Sequence, residues 1–111
     1  MPEPDHNRID VEDAGESTIV KFVDHKILNN PSMEALAERL FALANKLGGR
    51  RLVLDFCNVQ YLQSSVLGVL ITLNRKVSAG GGRLVFRNID AEVRKVFAMT
   101  RLDQLFTIEE V

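Results

Sequence analysis

The chain has 111 residues, a length that suits one domain and leaves no room for two. Its formal net charge is −1 on 26% charged and 46% apolar residues, which argues against nucleic acid as the main partner because neutralising phosphates takes a basic footprint. The single cysteine, Cys57, excludes an intrachain disulfide, and no apolar run reaches the roughly 18 residues of a membrane span.

Residues 1–8 hold two prolines and little apolar content, and read as a flexible tail ahead of one domain at 9–111. The acidic start MPEPDHNRIDVED does not read as a signal peptide, so the cytoplasm is the expected setting. Ile9 and Val11 alternate with charged residues, as in a short edge strand, and Ala14-Gly15 reads as a turn. The β-branched and aromatic run at 17–23 is a stronger strand. Together they predict an antiparallel hairpin, with Asp10, Glu12, Asp13 and Glu16 discouraging edge-to-edge pairing. Lys26, Ile27 and Leu28 read as a brief extended piece. Asn30 then suits a helix cap and Pro31 the first helical position. Met33, Leu36, Ala37, Leu40, Phe41, Ala44 and Leu47 recur at helical spacing, and Gly48 ends that helix.

Leu52-Val53-Leu54-Asp55-Phe56 is nearly all apolar, which predicts a strand buried on both sides. It lies between helices, so parallel pairing through a right-handed crossover is expected. The second helix is predicted over 65–78, with Val66, Val69, Leu70, Leu73 and Val77 as its stripe, widened by Leu67 and Ile71. Gly80-Gly81-Gly82 stops it and Arg83-Leu84-Val85-Phe86 is the next strand. The order helix, glycines, arginine, strand thus occurs at both KLGGRRLVLDF and SAGGGRLVF. Asp90 can cap a third helix over 91–99 with Val93, Val96 and Phe97 inward. Leu102, Leu105, Phe106 and Ile108 keep the C-terminus packed, through a helical turn and a last short strand. The order ββαβαβα predicts an α/β domain with helices against a mixed sheet.

Ser64 and Ser65 stand where a strand gives way to a helix. The first backbone N–H groups of a helix have no internal partner there. A hydroxyl at such a place can cap the helix, hold an anion or carry a phosphoryl group. Cys57, at a strand end with no basic cluster beside it in sequence, reads as a buried or half-buried thiol. His6 and His25 have no metal-ligand spacing, and no metal or cofactor is expected. Lys46, Arg50 and Arg51 read as compensation of a helix C-terminus. No acid, base and nucleophile converge in the sequence, so an enzyme is not expected.

The C-terminal half resembles the STAS domain, the family of bacterial anti-sigma-factor antagonists and of sulphate-transporter cytoplasmic domains. The residues that carry the resemblance are the strand 52–56, Ser64-Ser65, Leu67-Gly68-Val69-Leu70, Gly80-Gly81-Gly82-Arg83-Leu84-Val85, Glu92-Val93-Arg94-Lys95-Val96-Phe97 and Leu102-Asp103-Gln104-Leu105-Phe106. The resemblance implies a mixed sheet of about four to five strands, an N-terminal hairpin followed by parallel strands, with helices mainly on one face. It implies that Ser64, with Ser65 as a secondary candidate, is phosphorylated by an anti-sigma factor that is a serine kinase, with a phosphatase to reverse it. Gln63, Ser64, Ser65, Val66 and Leu67 would then meet the partner. Gln63 stands where the family has an aspartate, so it keeps hydrogen-bonding capacity without the charge. Val66 stands where the family has a glycine, and puts a branched side chain where a partner backbone would come close. The alternative is a STAS module that is not phosphorylated, an adaptor or structural subunit of a sensory or transporter complex. A monomer or weak homodimer, with no nucleic acid partner and no membrane insertion, is expected.

Overall fold

The computed structural model describes residues 7–109. The chain opens with β1 (Ile9–Asp13) and β2 (Ser17–Phe22), paired antiparallel with Ile9 opposite Phe22 and Asp13 opposite Thr18. Gly15, at φ 80°, supplies the left-handed residue of the turn. Next come β3 (Lys26–Ile27), α1 (Ser32–Asn45), β4 (Arg51–Asp55) and β5 (Tyr61–Leu62). A single 3-10 turn at Ser64–Val66 leads directly into α2 (Leu67–Ala79). β6 (Arg83–Arg87), α3 (Ala91–Met99), α4 (Leu102–Leu105) and β7 (Thr107–Glu109) complete the fold.

The main sheet has five strands in the order β1-β2-β4-β6-β7, parallel except for the hairpin. Local chemistry sets the starts of α1 and α3 as the sequence predicts. The Asn30 carboxamide oxygen accepts from the Ser32 backbone N–H at 3.0 Å and from the Ser32 hydroxyl at 2.6 Å, while Pro31 takes helical angles. The Asp90 carboxylate accepts from the Glu92 N–H at 3.1 Å.

The strand residues of one face join the helices in a single core: Val20, Phe22, Leu52, Leu54, Leu84 and Phe86 meet Leu36, Leu40, Leu70, Leu73, Val93 and Phe97. The rings of Phe22, Phe56, Phe86, Phe97 and Phe106 touch one another in a chain, with centroids 4.6–6.4 Å apart. Among the described residues the opposite face carries no helix, yet Val53 and Val85 on it are buried. Arg51 of β4 crosses β6 to reach Glu109 of β7 at 3.0 Å, beside Val85.

Three expectations change. Asn7 and Arg8 were assigned to a loose tail, but Asn7 bonds to Leu28, Asn30 and Ser32, and Arg8 pairs with Asp24 at 2.8 Å. Residues 1–6, including His6, lie outside the described residues. The basic cluster divides: Arg50 donates to the Leu47 and Lys46 carbonyls at the end of α1 and to Asp13 in the hairpin, whereas Arg51 lies on the sheet. β5 was not anticipated; with β3 it forms a separate parallel pair, Lys26 opposite Tyr61 and Ile27 opposite Leu62.

Candidate functional site

The β3–β5 pair aims the chain at the serines. Ile27 and Leu62 turn inward and are buried, so the ribbon is anchored by its apolar side and shows Lys26 and Tyr61 outward. Gln63 follows in an extended conformation, with its N–H donating to the Ile27 carbonyl at 3.0 Å. Its side-chain oxygen accepts from the Asn29 backbone N–H at 2.9 Å. The loop that Gln63 grips is itself held: Asn7 donates to the Leu28 carbonyl at 2.9 Å and to the Ser32 hydroxyl at 3.0 Å. The base of the serine turn is therefore pinned by Ile27 of β3, by Ser32 of α1 and by Asn7 ahead of β1.

Ser64 and Ser65 begin the 3-10 turn, and both are exposed. Neither caps a helix. The extended cap position belongs to Gln63, whose side chain is committed to Asn29, and no side-chain cap bond is made there or at Val66. Val66 and Leu67 are 2% and 6% exposed and lie in the core. So of the residues assigned to partner contact, Ser64 and Ser65 are exposed and Gln63 is half-buried, while Val66 and Leu67 hold the turn down from inside. Val66, which stands where the resemblance has a glycine, points its side chain into the protein. No Asp or Glu occurs between Asp55 and Asp90, so the turn and all of α2 are free of carboxylates.

A second polar cluster sits where β4 ends. Asp55 is 6% exposed. One of its oxygens accepts from the Cys57 backbone N–H and from Asn88, each at 3.0 Å, and the other faces Arg87 at 3.3 Å. Burial alone would raise this carboxyl, but the hydrogen bonds from Asn88 and Cys57, and then the Arg87 charge, outweigh it and hold it below its ordinary value. A depressed carboxylate stabilises the fold above the unfolded value, and that contribution is lost as pH falls through the folded one. Asp55→Asn is accordingly expected to be less stable than wild type at pH 7 by about 1–3 kcal/mol. The gap should begin to narrow as pH drops below about 4, where the unfolded carboxyl protonates, and close as pH passes below the lower folded value. Urea unfolding at pH 7 and pH 3 checks this: the gap should be smaller at pH 3, and an undiminished gap would mean that Asp55 acts by shape rather than by charge.

Cys57 is exposed, contrary to expectation, because Phe56 turns into the core and the next residue must face out as the chain leaves β4. His25 donates from Nδ1 to the Asn58 carbonyl at 2.9 Å, which fixes its tautomer, since a carbonyl only accepts. Among the described residues no group of three or more His, Cys, Asp and Glu could hold a metal ion, and no helix is long and apolar enough to cross a membrane. Asn7 and Asn29 were not identified from sequence, since their roles depend on partners 21–34 residues away.

A STAS-domain containing protein of Pseudomonas aeruginosa is 39% identical over 59 residues, 53% of this chain and 58% of that relative, so the match spans little more than half of it. BtrV of Bordetella bronchiseptica, named as a candidate anti-sigma factor antagonist, is 29% identical over 82 residues, 74% of this chain and 70% of that one. Among solved structures, an anti-sigma factor antagonist from Mycobacterium paratuberculosis has a TM-score of 0.79 at 22% identity, covering 100% of this chain and 92% of that chain. Unphosphorylated SpoIIAA has a TM-score of 0.75 at 17% identity, covering 93% and 89%. The phosphorylated form of SpoIIAA, from Bacillus, has a TM-score of 0.69 at 17% identity, covering 93% and 92%. At such identities these structures show a common fold. The sequence profile of the STAS domain matches residues 11–111, from the hairpin through the serine turn to β7, and the chain belongs to the STAS domain family.

Proposed function

We propose that this protein is an anti-sigma-factor antagonist, a regulator and not an enzyme. It docks on an anti-sigma factor that is also a serine kinase, and is released when that kinase phosphorylates Ser64. The observation that carries the reading is the exposed Ser64 hydroxyl on a turn whose neighbours anchor it from below. The anti-sigma factor antagonists among its structural relatives support the partner, and SpoIIAA, which has the same fold, exists with and without phosphate. In this reading the protein works in the cytoplasm and a phosphatase resets it.

The physical basis is a separation between fold and surface. Val66 and Leu67 make the turn part of the core, so a group added to Ser64 enlarges the surface and leaves the packing intact. A phosphate adds about 1.5–2 negative charges. The start of a helix stabilises them through its dipole and its unpaired N–H groups. With no carboxylate from 56 to 89, nothing in that stretch of sequence repels them. A partner seated on the same surface meets both the charge and the bulk.

Ser64→Asp is expected to weaken binding to the anti-sigma factor at least tenfold, about 1.4 kcal/mol. Ser64→Ala should bind like wild type and take up no phosphate. Calorimetric titration, with mass mapping after incubation with the kinase and ATP, reads both. No phosphate on Ser64, together with unchanged binding by Ser64→Asp, would overturn the switch. Binding without phosphorylation would instead fit an adaptor subunit.

A further inference from the structure

The sheet face away from the helices carries two different charge patterns. At one end, Asp10, Lys21, Asp55, Arg87 and Glu109 stand opposite one another across β1, β2, β4, β6 and β7. The sign alternates at every step, so each charge has an opposite neighbour on the next strand. At the other end the alternation fails. Ser17, Arg51 and Arg83 stand opposite one another, which puts two arginines on strands about 4.8 Å apart. Like charges directly opposite destabilise a sheet. Arg51 is partly relieved by Glu109, which it meets at 3.0 Å through one terminal nitrogen. Arg83 is exposed and makes no ion pair or side-chain hydrogen bond among the described residues.

Beside the two arginines the surface sinks into a recess of about 260 Å³, lined by Arg51, Arg83, Val85, Thr107 and Glu109. We infer that this recess is an anion site, which binds a soluble ligand through a phosphate or diphosphate group. A guanidinium meets two oxygens of one phosphate side by side, and two guanidiniums on neighbouring strands suit a dianion. Thr107 adds a hydroxyl that can donate to a further oxygen. The recess is several times the roughly 30 Å³ share of one water, so a polyatomic anion fills it where a halide would not. None of the large exposed apolar side chains lines it, so it gives a lipid no hold beyond the headgroup. Glu109 already shows that Arg51 accepts an oxyanion here. The ligand takes Arg51 from Glu109, bridges it to Arg83 and removes the repulsion between the two strands. The site is separate from Ser64: Arg51 and Arg83 begin their strands, and the chain leaves β4 at the other end, toward β5 and the serine turn.

Calorimetric titration of the full chain with pyrophosphate tests the site, at low ionic strength because exposed charges are screened by salt. Wild type should bind one equivalent saturably. Arg83→Gln should weaken binding at least about tenfold, and its fold is not at risk because the side chain has no partner to lose. Glu109→Gln should tighten binding roughly threefold, since it frees Arg51, an effect that a purely structural ion pair would not give. Lys95→Gln removes an exposed charge on α3 and should bind within about twofold of wild type. The inference is overturned by the absence of saturable binding to wild type, or by equal losses in Arg83→Gln and Lys95→Gln. Unchanged or weaker binding by Glu109→Gln overturns it as well. Binding of phosphatidic acid vesicles or of a glutamate-rich peptide, with no response to pyrophosphate, would overturn the soluble phosphate ligand.

Discussion

Phe56→Ala is expected to cost about 3–5 kcal/mol of stability, the largest effect of any single truncation in this core. Phe56 is fully buried and sits at the middle of the aromatic chain. Its ring meets Phe22 edge-on at 5.0 Å, Phe86 at 5.6 Å and Phe97 at 6.4 Å. Truncation removes the transfer energy of the ring, and opens a cavity whose walls come from β2, β6 and α3. β2 and β6 are fixed by their pairing with β4 and cannot collapse inward to fill it. Small domains have only about 5–15 kcal/mol in total, so this variant loses a large share. Urea unfolding should show a lower midpoint with an unchanged slope. A loss below about 1.5 kcal/mol would mean that the surrounding rings repack, and that the aromatic chain is not what sets the core. Function should suffer indirectly, because the Phe56 carbonyl accepts from the Val59 N–H at 2.9 Å in the turn that leads to β5 and the serines.

Gly82→Ala is expected to be the most disruptive of the small-to-larger changes, with a loss of about 1–3 kcal/mol, and Gly82→Val more. The added Cβ would stand 2.5 Å from the Arg50 carbonyl oxygen, 3.3 Å from Val77 Cγ1 and 3.4 Å from the Val77 carbonyl oxygen. The nearest obstacle is backbone and cannot swing aside. Relief requires parting the two glycine turns that precede β4 and β6, and with it the bond from the Arg83 N–H to the Arg50 carbonyl at 3.4 Å. The same substitution at Gly68 in α2, where a Cβ would meet nothing within 4 Å, is expected to raise Tm, so a thermal melt of the two alanine variants should give shifts of opposite sign. Shifts of the same sign would show that the surroundings of the two glycines do not control their energetics.

The paired glycine-arginine pattern in the sequence has a structural reason here. Both turns deliver the chain into neighbouring parallel strands, and Arg51 lies opposite Arg83 in register. What the pattern could not show is that one turn packs against the other, or that Gly82 rather than Gly80 is the residue with no room for a side chain. The hairpin, the Asn30 and Asp90 caps and the two apolar strands were legible because each depends on residues within a few positions of one another. The β3–β5 pair was not, because each strand has two residues and exists only where the other meets it. Cys57 is exposed rather than buried for a related reason. Whether a residue at a strand end or helix start faces in or out depends on where the next element goes.

For the serine turn, the residues alone determined that Ser64 and Ser65 stand between a strand and an amphipathic helix, and that no carboxylate lies near them in sequence. Those are properties of spacing and composition. Only the tertiary structure decided that Gln63 takes the cap position and spends its amide oxygen on Asn29, 34 residues away, which leaves both serine hydroxyls at the surface. It also decided that Gly68 has open space around it. Hydrogen-bond partners and burial come from chain segments distant in sequence, and local propensity carries no record of them.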